Sequence, residues 1–314
     1  MSVSIPSLAS VPLQRLDLPW LRAADVQLAV LRLDLVDPEL SGNKWFKLIH
    51  HLAAAQDSGA SGLISLGGPH SNHLHALAAA AKRYGLGSVG LLRGHPQQTA
   101  TVEDLQRFGM QLHWLGYGGY RERHRADFFD SWRERYPGYY SVPEGGGGLA
   151  GALGCVPLVN HVQTRLAALG WTDYDGWWLA AGTGTTLAGL VIGEAQRRGK
   201  TVHGAMAGPP SHGVADEVSR LLRDAGIADS GYQLVDACRG GFGRFDEPLA
   251  RFLLETEALS GVPLEPVYTA KAMMALRLYT GRGYFAAGTR LIFVHTGGLQ
   301  GRRAAEAQLE ALLR

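Results

Sequence analysis

Residues 177–189 read Trp-Trp-Leu-Ala-Ala-Gly-Thr-Gly-Thr-Thr-Leu-Ala-Gly, and their order decides the fold. The first five form an unbroken apolar run, short enough for a strand buried on both faces. Gly-Thr-Gly then makes a turn, and the small and apolar residues beyond it suit a helix. The same unit recurs outward in both directions. Apolar segments at 62–66, 88–92, 111–115, 201–205 and 291–295 read as further strands. Ala-rich or amphipathic segments at 72–84, 100–108, 119–134, 150–169, 186–198 and 213–225 read as helices. In the last of these, Val214, Val218, Leu221 and Leu222 share one helical face. Strands and helices alternating in this way predict an α/β protein with mainly parallel, twisted sheets flanked by helices.

The 314 residues suffice for one large domain or two ordinary ones, and 46% hydrophobic against 18% charged residues provides a normal core. A net charge of +2, from 30 basic and 28 acidic residues, offers no basic surface for nucleic acid. Arg121, Arg123 and Arg125 alternate with Glu122, His124 and Asp127, which fits a solvated helix face. Two cysteines, Cys155 and Cys238, make no disulfide framework. Residues 1–20 lack the basic-then-apolar order of a secretory leader, and no apolar run approaches the ~20 residues that span a bilayer. A cytoplasmic protein without a membrane partner is expected. The run Glu144-Gly-Gly-Gly-Gly148 reads either as a crossover between two lobes or as a flexible surface turn.

Ligand sites in α/β folds gather where strands end in glycine turns. In 180–189 the backbone N–H groups at a helix start, joined by Thr183, Thr185 and Thr186, form a seat for one compact phosphate. The spacing matches neither a nucleoside-triphosphate nor a dinucleotide loop. In 66–73, Ser71 is placed to cap the following helix, and Asn72 with His70 and His73 makes the turn more polar than a cap requires. In 295–298 a turn carries Thr296. In 40–48, Leu-Ser-Gly-Asn-Lys-Trp-Phe-Lys-Leu, two of the five lysines, Lys44 and Lys47, stand three apart; the others are Lys82, Lys200 and Lys271. On a helix starting near Asn43 they share a face: one amine can attack a carbonyl while the second cation depresses its pKa. The alternative is ordinary surface charge. His50, His51, His70, His73 and His75 lie close in sequence but lack metal-ligand spacing, so no metal is expected.

Taken in order, SGNKWFKL, GGPHSNH, AGTGTTLAG, EPVYTAK and HTGG resemble the 1-aminocyclopropane-1-carboxylate deaminase and D-cysteine desulfhydrase family, from Pro12 to Gly298. That family belongs to the fold type II, tryptophan synthase β-like, pyridoxal-phosphate enzymes. The resemblance implies two lobes, 42–146 forming the smaller and 1–41 with 147–314 the larger, and pyridoxal phosphate as cofactor. It implies Lys44 as the lysine that binds the cofactor covalently, Lys47 at its phosphate, and Thr183, Gly184, Thr185 and Thr186 around that phosphate. It puts Asn72 at the ring hydroxyl and Thr296 near the pyridine nitrogen. Ser71 would transfer protons and Tyr268 would face the substrate; Asn43, His73 and Thr269 complete the implied substrate side. A homodimer acting on a small amino acid is implied too.

Within that family the deaminases resemble DPVYEGK and HLGG, whereas Thr269 and Thr296 here resemble the desulfhydrases. A glutamate near the pyridine nitrogen would strengthen the electron sink; threonine leaves a weaker one, which suits departure of a good β-leaving group better than ring opening. On this reasoning Thr269→Glu combined with Thr296→Leu would shift activity toward the cyclopropane substrate. The chain departs from the family in having Phe242 where a second active-site tyrosine is usual, and His70 where glutamine is common. Ring-opening deamination of the cyclopropane amino acid is the first rival reading, and a non-catalytic phosphate-metabolite binding protein the second.

Overall fold

Two parallel sheets organise the molecule. The computed structural model describes Leu8 and residues 11–40, 42–197 and 199–313; Ser41 of the lysine motif, and residues 1–7, 9 and 10 of the segment read above for a leader, lie outside the described residues. The described residues form ten strands: β1 (Leu13–Leu16), β2 (Gln27–Arg32), β3 (Gly62–Gly67), β4 (Gly87–Leu92), β5 (Gln111–Trp114), β6 (Tyr139–Ser141), β7 (Gly176–Ala181), β8 (Thr201–Met206), β9 (Tyr232–Asp236) and β10 (Arg290–His295). The larger sheet runs β1-β2-β10-β7-β8-β9 and the smaller β5-β4-β3-β6. Every pairing between these strands is parallel except β1 with β2.

Alternation along each strand fills the space on both sides of the larger sheet. Trp177, Leu179, Ile292 and Val294 join one core, with the helices Thr185–Ala195 and Val214–Asp224. Trp178, Val30 and Phe293 join the other, with the helices Glu247–Ser260 and Thr269–Gly281. Such doubly covered strands carry apolar residues on both faces, which is why they appear as continuous runs in sequence. The buried indoles remain bonded: Trp177 Nε1 donates to Glu194 (2.7 Å) and Trp178 Nε1 to the Ala272 carbonyl (2.8 Å).

The helix Asn43–Asp57 lies between the sheets. Its Phe46 and Ile49 belong to the core of the larger sheet, while Trp45, Leu48 and Leu52 pack with Leu63, Leu74 and Leu77 of the smaller. Its first turn, with both lysines, is thereby fixed at the junction. All described strands of the smaller sheet fall within 62–141, which supports the lobe division at 42–146 that we propose.

Two expected helices are broken. The 150–169 segment is Gly148–Cys155, then Pro157–Gln163, then a 3-10 turn at Leu166–Leu169; Pro157 has no N–H to continue the first helix and opens the second. The 119–134 segment is Gly116–Arg121, a 3-10 turn Glu122–His124 and Asp130–Arg135. Arg125 there is extended and grips Asp127 through two bonds of 2.9 Å, and these short helices bury only Tyr120, too little apolar surface to hold one long helix. Arg123 is no free solvated charge, since it donates to Glu144 at 2.9 Å.

Candidate active site

Parallel sheets leave a crevice outside the carboxyl ends of their strands, deepest where strand order reverses. In the smaller sheet the reversal is at β3, between β4 and β6, and the turn after β3 carries Ser71 and Asn72. In the larger sheet β10 and β7 are central neighbours; the Gly182–Thr186 turn follows one and Thr296–Gly298 the other. The structure brings these turns together around the start of the Asn43–Asp57 helix. Asn43 N–H donates to the Thr296 carbonyl at 3.1 Å, and a Cβ on Gly42 (φ 76°) would lie 2.1 Å from that oxygen. Only glycine permits both the backbone turn and this approach.

Lys44 donates to Asn43 Oδ1 at 2.9 Å, and Asn43 Nδ2 donates to Thr186 Oγ1 at 2.8 Å. Burial holds the Lys44 ammonium down at about 8, against the pull of the Glu265 carboxylate. An appreciable fraction of amine is therefore unprotonated near neutrality, as nucleophilic attack requires. Lys47, fully buried, donates to Thr183 Oγ1 at 3.2 Å; burial, then the neighbouring Lys44 charge, push it well below an ordinary lysine. Two ammonium groups sharing one site repel each other unless an anion enters.

The surroundings suit a phosphate. Thr183 and Thr185 hydroxyls lie 3.1 Å apart at the start of the Thr185–Ala195 helix, whose first turn takes no side-chain cap from the described residues. Open N–H groups at a helix start, two hydroxyls and a lysine are the donors an anion takes. The glycine run supplies the wall. A Cβ on Gly145 (φ 70°) would stand 3.0 Å from Thr183 Cγ2, and one on Gly146 (φ 67°) 3.2 Å from Lys47 Cβ. Gly145 to Gly147 are buried, and Gly147 O is bonded to His51 Nε2 at 3.0 Å, so this run is no flexible surface turn.

A family model described as "Pyridoxal-phosphate dependent enzyme" matches residues 10–297. The chain belongs to this family. Among its relatives, a putative 1-aminocyclopropane-1-carboxylate deaminase of Pyrococcus abyssi is 27% identical, over 89% of this chain and 87% of that protein. The bifunctional D-cysteine desulfhydrase/1-aminocyclopropane-1-carboxylate deaminase of Arabidopsis thaliana is 27% identical over 96% and 79%. A crystal structure described as an ACC deaminase homologue superposes with a TM-score of 0.84 at 26% identity, covering 100% of both chains. The protein is thus a fold type II pyridoxal-phosphate-dependent lyase, and the lysine-threonine cradle fits the phosphate of that cofactor.

Other residues singled out in the sequence are distributed as follows in this pyridoxal-phosphate enzyme. Ser71 Oγ accepts the Leu74 N–H at 3.1 Å as helix cap, which leaves its own proton to donate. Asn72 Oδ1 accepts from Gln300 Nε2 at 2.8 Å, and a Cβ on Gly298 would press on both Asn72 Nδ2 and Glu265. Tyr268 lies against Gly182; burial and the Glu265 and Glu144 charges keep its phenol protonated far above neutral pH. Phe242 meets the Tyr268 ring edge-on at 5.7 Å.

Four of the side chains implied for cofactor or substrate have partners within the protein. Asn43 bridges Thr186 and Lys44, donating to the one and accepting from the other. His73 is buried with Nε2 bonded to Ser65 at 2.7 Å, and burial with the Lys47 and Lys44 charges keeps it neutral behind the cradle. Thr269 is fully buried, its hydroxyl accepting the Glu265 N–H at 2.8 Å. Elsewhere in the histidine-dense region, His75 faces Asp104 at 3.2 Å, away from His51 on its glycine carbonyl.

Two groups escaped the sequence reading. Glu265, before Pro266 in the EPVY motif, is buried and accepts N–H bonds from Val267, Tyr268 and Thr269 at 2.8, 2.7 and 2.6 Å. Cys155 lies behind both lysines, where burial pushes its thiol up to about 11, so it is a neutral wall. Glu265 was visible as the first residue of its motif; Cys155 carried no local signal.

Proposed function

We propose that this enzyme removes the β-substituent of D-cysteine, or of a similar small amino acid, giving pyruvate, ammonia and sulfide. The observation that carries this reading is the residue after Tyr268: Thr269 brings no carboxylate there, and its hydroxyl is committed to the Glu265 backbone. Glu265 itself is committed to three backbone N–H groups. Neither is then free to protonate a cofactor ring, which favours substrates whose leaving group departs without a strong electron sink. When bound, pyridoxal phosphate supplies an electron sink for the substrate Cα, weaker than one with a protonated ring. Lys44 takes the Cα proton once its amine is released, and Ser71 relays it. Tyr268, with its phenol held protonated, gives a proton to the departing thiolate. With one water consumed, the products balance as pyruvate, ammonia and hydrogen sulfide.

Ring-opening deamination is kept as the second reading because the names of the Pyrococcus and Arabidopsis relatives include it. The test is product release: pyruvate from D-cysteine and β-chloro-D-alanine against 2-oxobutyrate from 1-aminocyclopropane-1-carboxylate, compared as kcat/KM. A preference for the cyclopropane substrate overturns our choice. We further take the enzyme to be a cytoplasmic homodimer. Exposed Leu254, Leu259 and Leu278 on adjacent helices are apolar surface that a second copy would cover, and light scattering reads the mass. Among the described residues no helix is long and apolar enough to cross a membrane.

A further inference from the structure

Lys271 is buried at 1% exposure in the first turn of the Thr269–Gly281 helix. Its ammonium donates to three backbone carbonyls: Ala207 at 3.2 Å, Cys238 at 2.8 Å and Gly241 at 2.8 Å. An ammonium has three donors, so these bonds use all of them on neutral oxygens. Both burial and the positive end of a helix disfavour a cation at this place. The three carbonyls are what offsets that cost, and they would lose their donor with any apolar side chain at this position. They belong to two loops, one leaving β8 and one leaving β9, at the same carboxyl edge as the cofactor cradle.

These loops meet over the substrate side of Tyr268. A Cβ on Gly208 would lie 2.6 Å from His212 Nδ1 and 3.4 Å from Phe242 Cβ. The His212 and Phe242 rings are 5.8 Å apart, and Phe242 in turn meets Tyr268 at 5.7 Å. Tyr268 and Lys271 are three residues apart on one helix start, so a single element holds one ring and tethers the loop that holds the other.

We propose that Lys271 is a positioning residue for the reaction, a tethered monovalent cation that gathers the 207–213 and 238–245 loops and fixes Phe242 against Tyr268. The proposal rests on the reading of this cleft as the amino-acid site. The test compares holoenzyme of wild type, Lys271→Met, Phe242→Ala and the double variant, using the amino acid wild type turns over best. Lys271→Met should retain its cofactor and visible band, yet raise KM at least about tenfold, the equivalent of one charge-assisted bond, with a smaller change in kcat. Phe242→Ala should raise KM similarly, and the double variant should be no worse than the poorer single one. Hydrogen exchange without substrate should quicken in the two loops of Lys271→Met and nowhere else in the larger sheet. Should Lys271→Met not fold, Lys271→Gln, with two donors and no charge, replaces it. Additive KM effects, loss of the cofactor band, or unchanged exchange in both loops overturns the proposal. If wild type turns over no amino acid, the functional reading fails, while exchange still decides the role of Lys271.

Discussion

Replacing Lys47 with methionine separates the anion-holding role of this lysine from any role in stability. The side chain is 2% exposed, and its ammonium donates to a neutral hydroxyl, Thr183 Oγ1 at 3.2 Å. In cofactor-free protein that ammonium is held well below its usual pKa by burial and by Lys44, so losing it forfeits one near-neutral hydrogen bond, about 0.5–1.5 kcal/mol. Methionine fills most of the vacated volume, which limits the cavity penalty. With a phosphate present the same atom makes a charge-assisted bond of about 1.5–3 kcal/mol, so Kd for pyridoxal phosphate should weaken roughly 10- to 150-fold. Ligand-induced stabilisation should shrink by the same amount at fixed cofactor concentration. Titrating cofactor-free protein by visible absorbance, with thermal melts alongside, reads both quantities. An unchanged Kd, or equal destabilisation with and without cofactor, refutes the phosphate assignment.

Lys44→Met should lose the visible band of lysine-bound cofactor and nearly all turnover; a retained band, with a different lysine labelled after borohydride, refutes the assignment. In cofactor-free protein, burial lowers Lys44 from 10.5 to about 8, so between those values the unfolded chain holds a proton that the folded one has released. Stability should therefore rise with pH across that window more steeply in wild type than in Lys44→Met, as denaturant melts at successive pH values will show. Thr186→Val leaves the buried Asn43 Nδ2 without its acceptor, which should cost about 1–3 kcal/mol of stability while changing cofactor Kd far less than Lys47→Met does. Equal Kd losses in those two variants would put Thr186 on the phosphate. Tyr268→Phe should lower kcat with cofactor retention unchanged, and a loss confined to KM would exclude a proton-donating role for its hydroxyl.

Much of this architecture was legible because it is locally encoded. Doubly buried strands such as β7 and β10 are continuous apolar runs, and the Gly-Thr-Gly-Thr-Thr turn announces its helix start. The lysine motif was legible for the same reason: Lys44 and Lys47 depend only on their own helix to share a face. What eluded the sequence is long-range. Gly145 and Gly146 become a wall only because Lys47 and Thr183 arrive from elsewhere, and Lys271 finds its carbonyls 30 to 64 residues away. The breaks in the 119–134 and 150–169 helices were readable in part, since Pro157 marks one of them, but the Arg125–Asp127 clasp depends on a local geometry that charge alternation conceals.

Thr269 shows that a motif position can bear on the chemistry by the group it withholds, without being a side chain that can be exchanged freely. Sequence comparison within the family makes it a specificity residue, and exchanging it together with Thr296 would be the natural experiment. Its hydroxyl, however, is locked to the Glu265 backbone in a fully buried site. A glutamate introduced there would bury a second carboxylate beside Glu265, whose own carboxyl is already pushed up by burial. Like charges so placed raise each other's pKa and disturb the three N–H bonds that hold Tyr268. A lost activity in that double variant would then report a damaged cap, not a changed preference. The surface that can discriminate substrates without this penalty is the rim of Phe242 and His212, which is exposed and rests on Tyr268. Phe242→Tyr, which restores a hydroxyl at an exposed edge, should leave folding stability within about 0.5 kcal/mol of wild type. Any change it makes in the ratio of kcat/KM for D-cysteine and the cyclopropane amino acid then belongs to the chemistry of the rim.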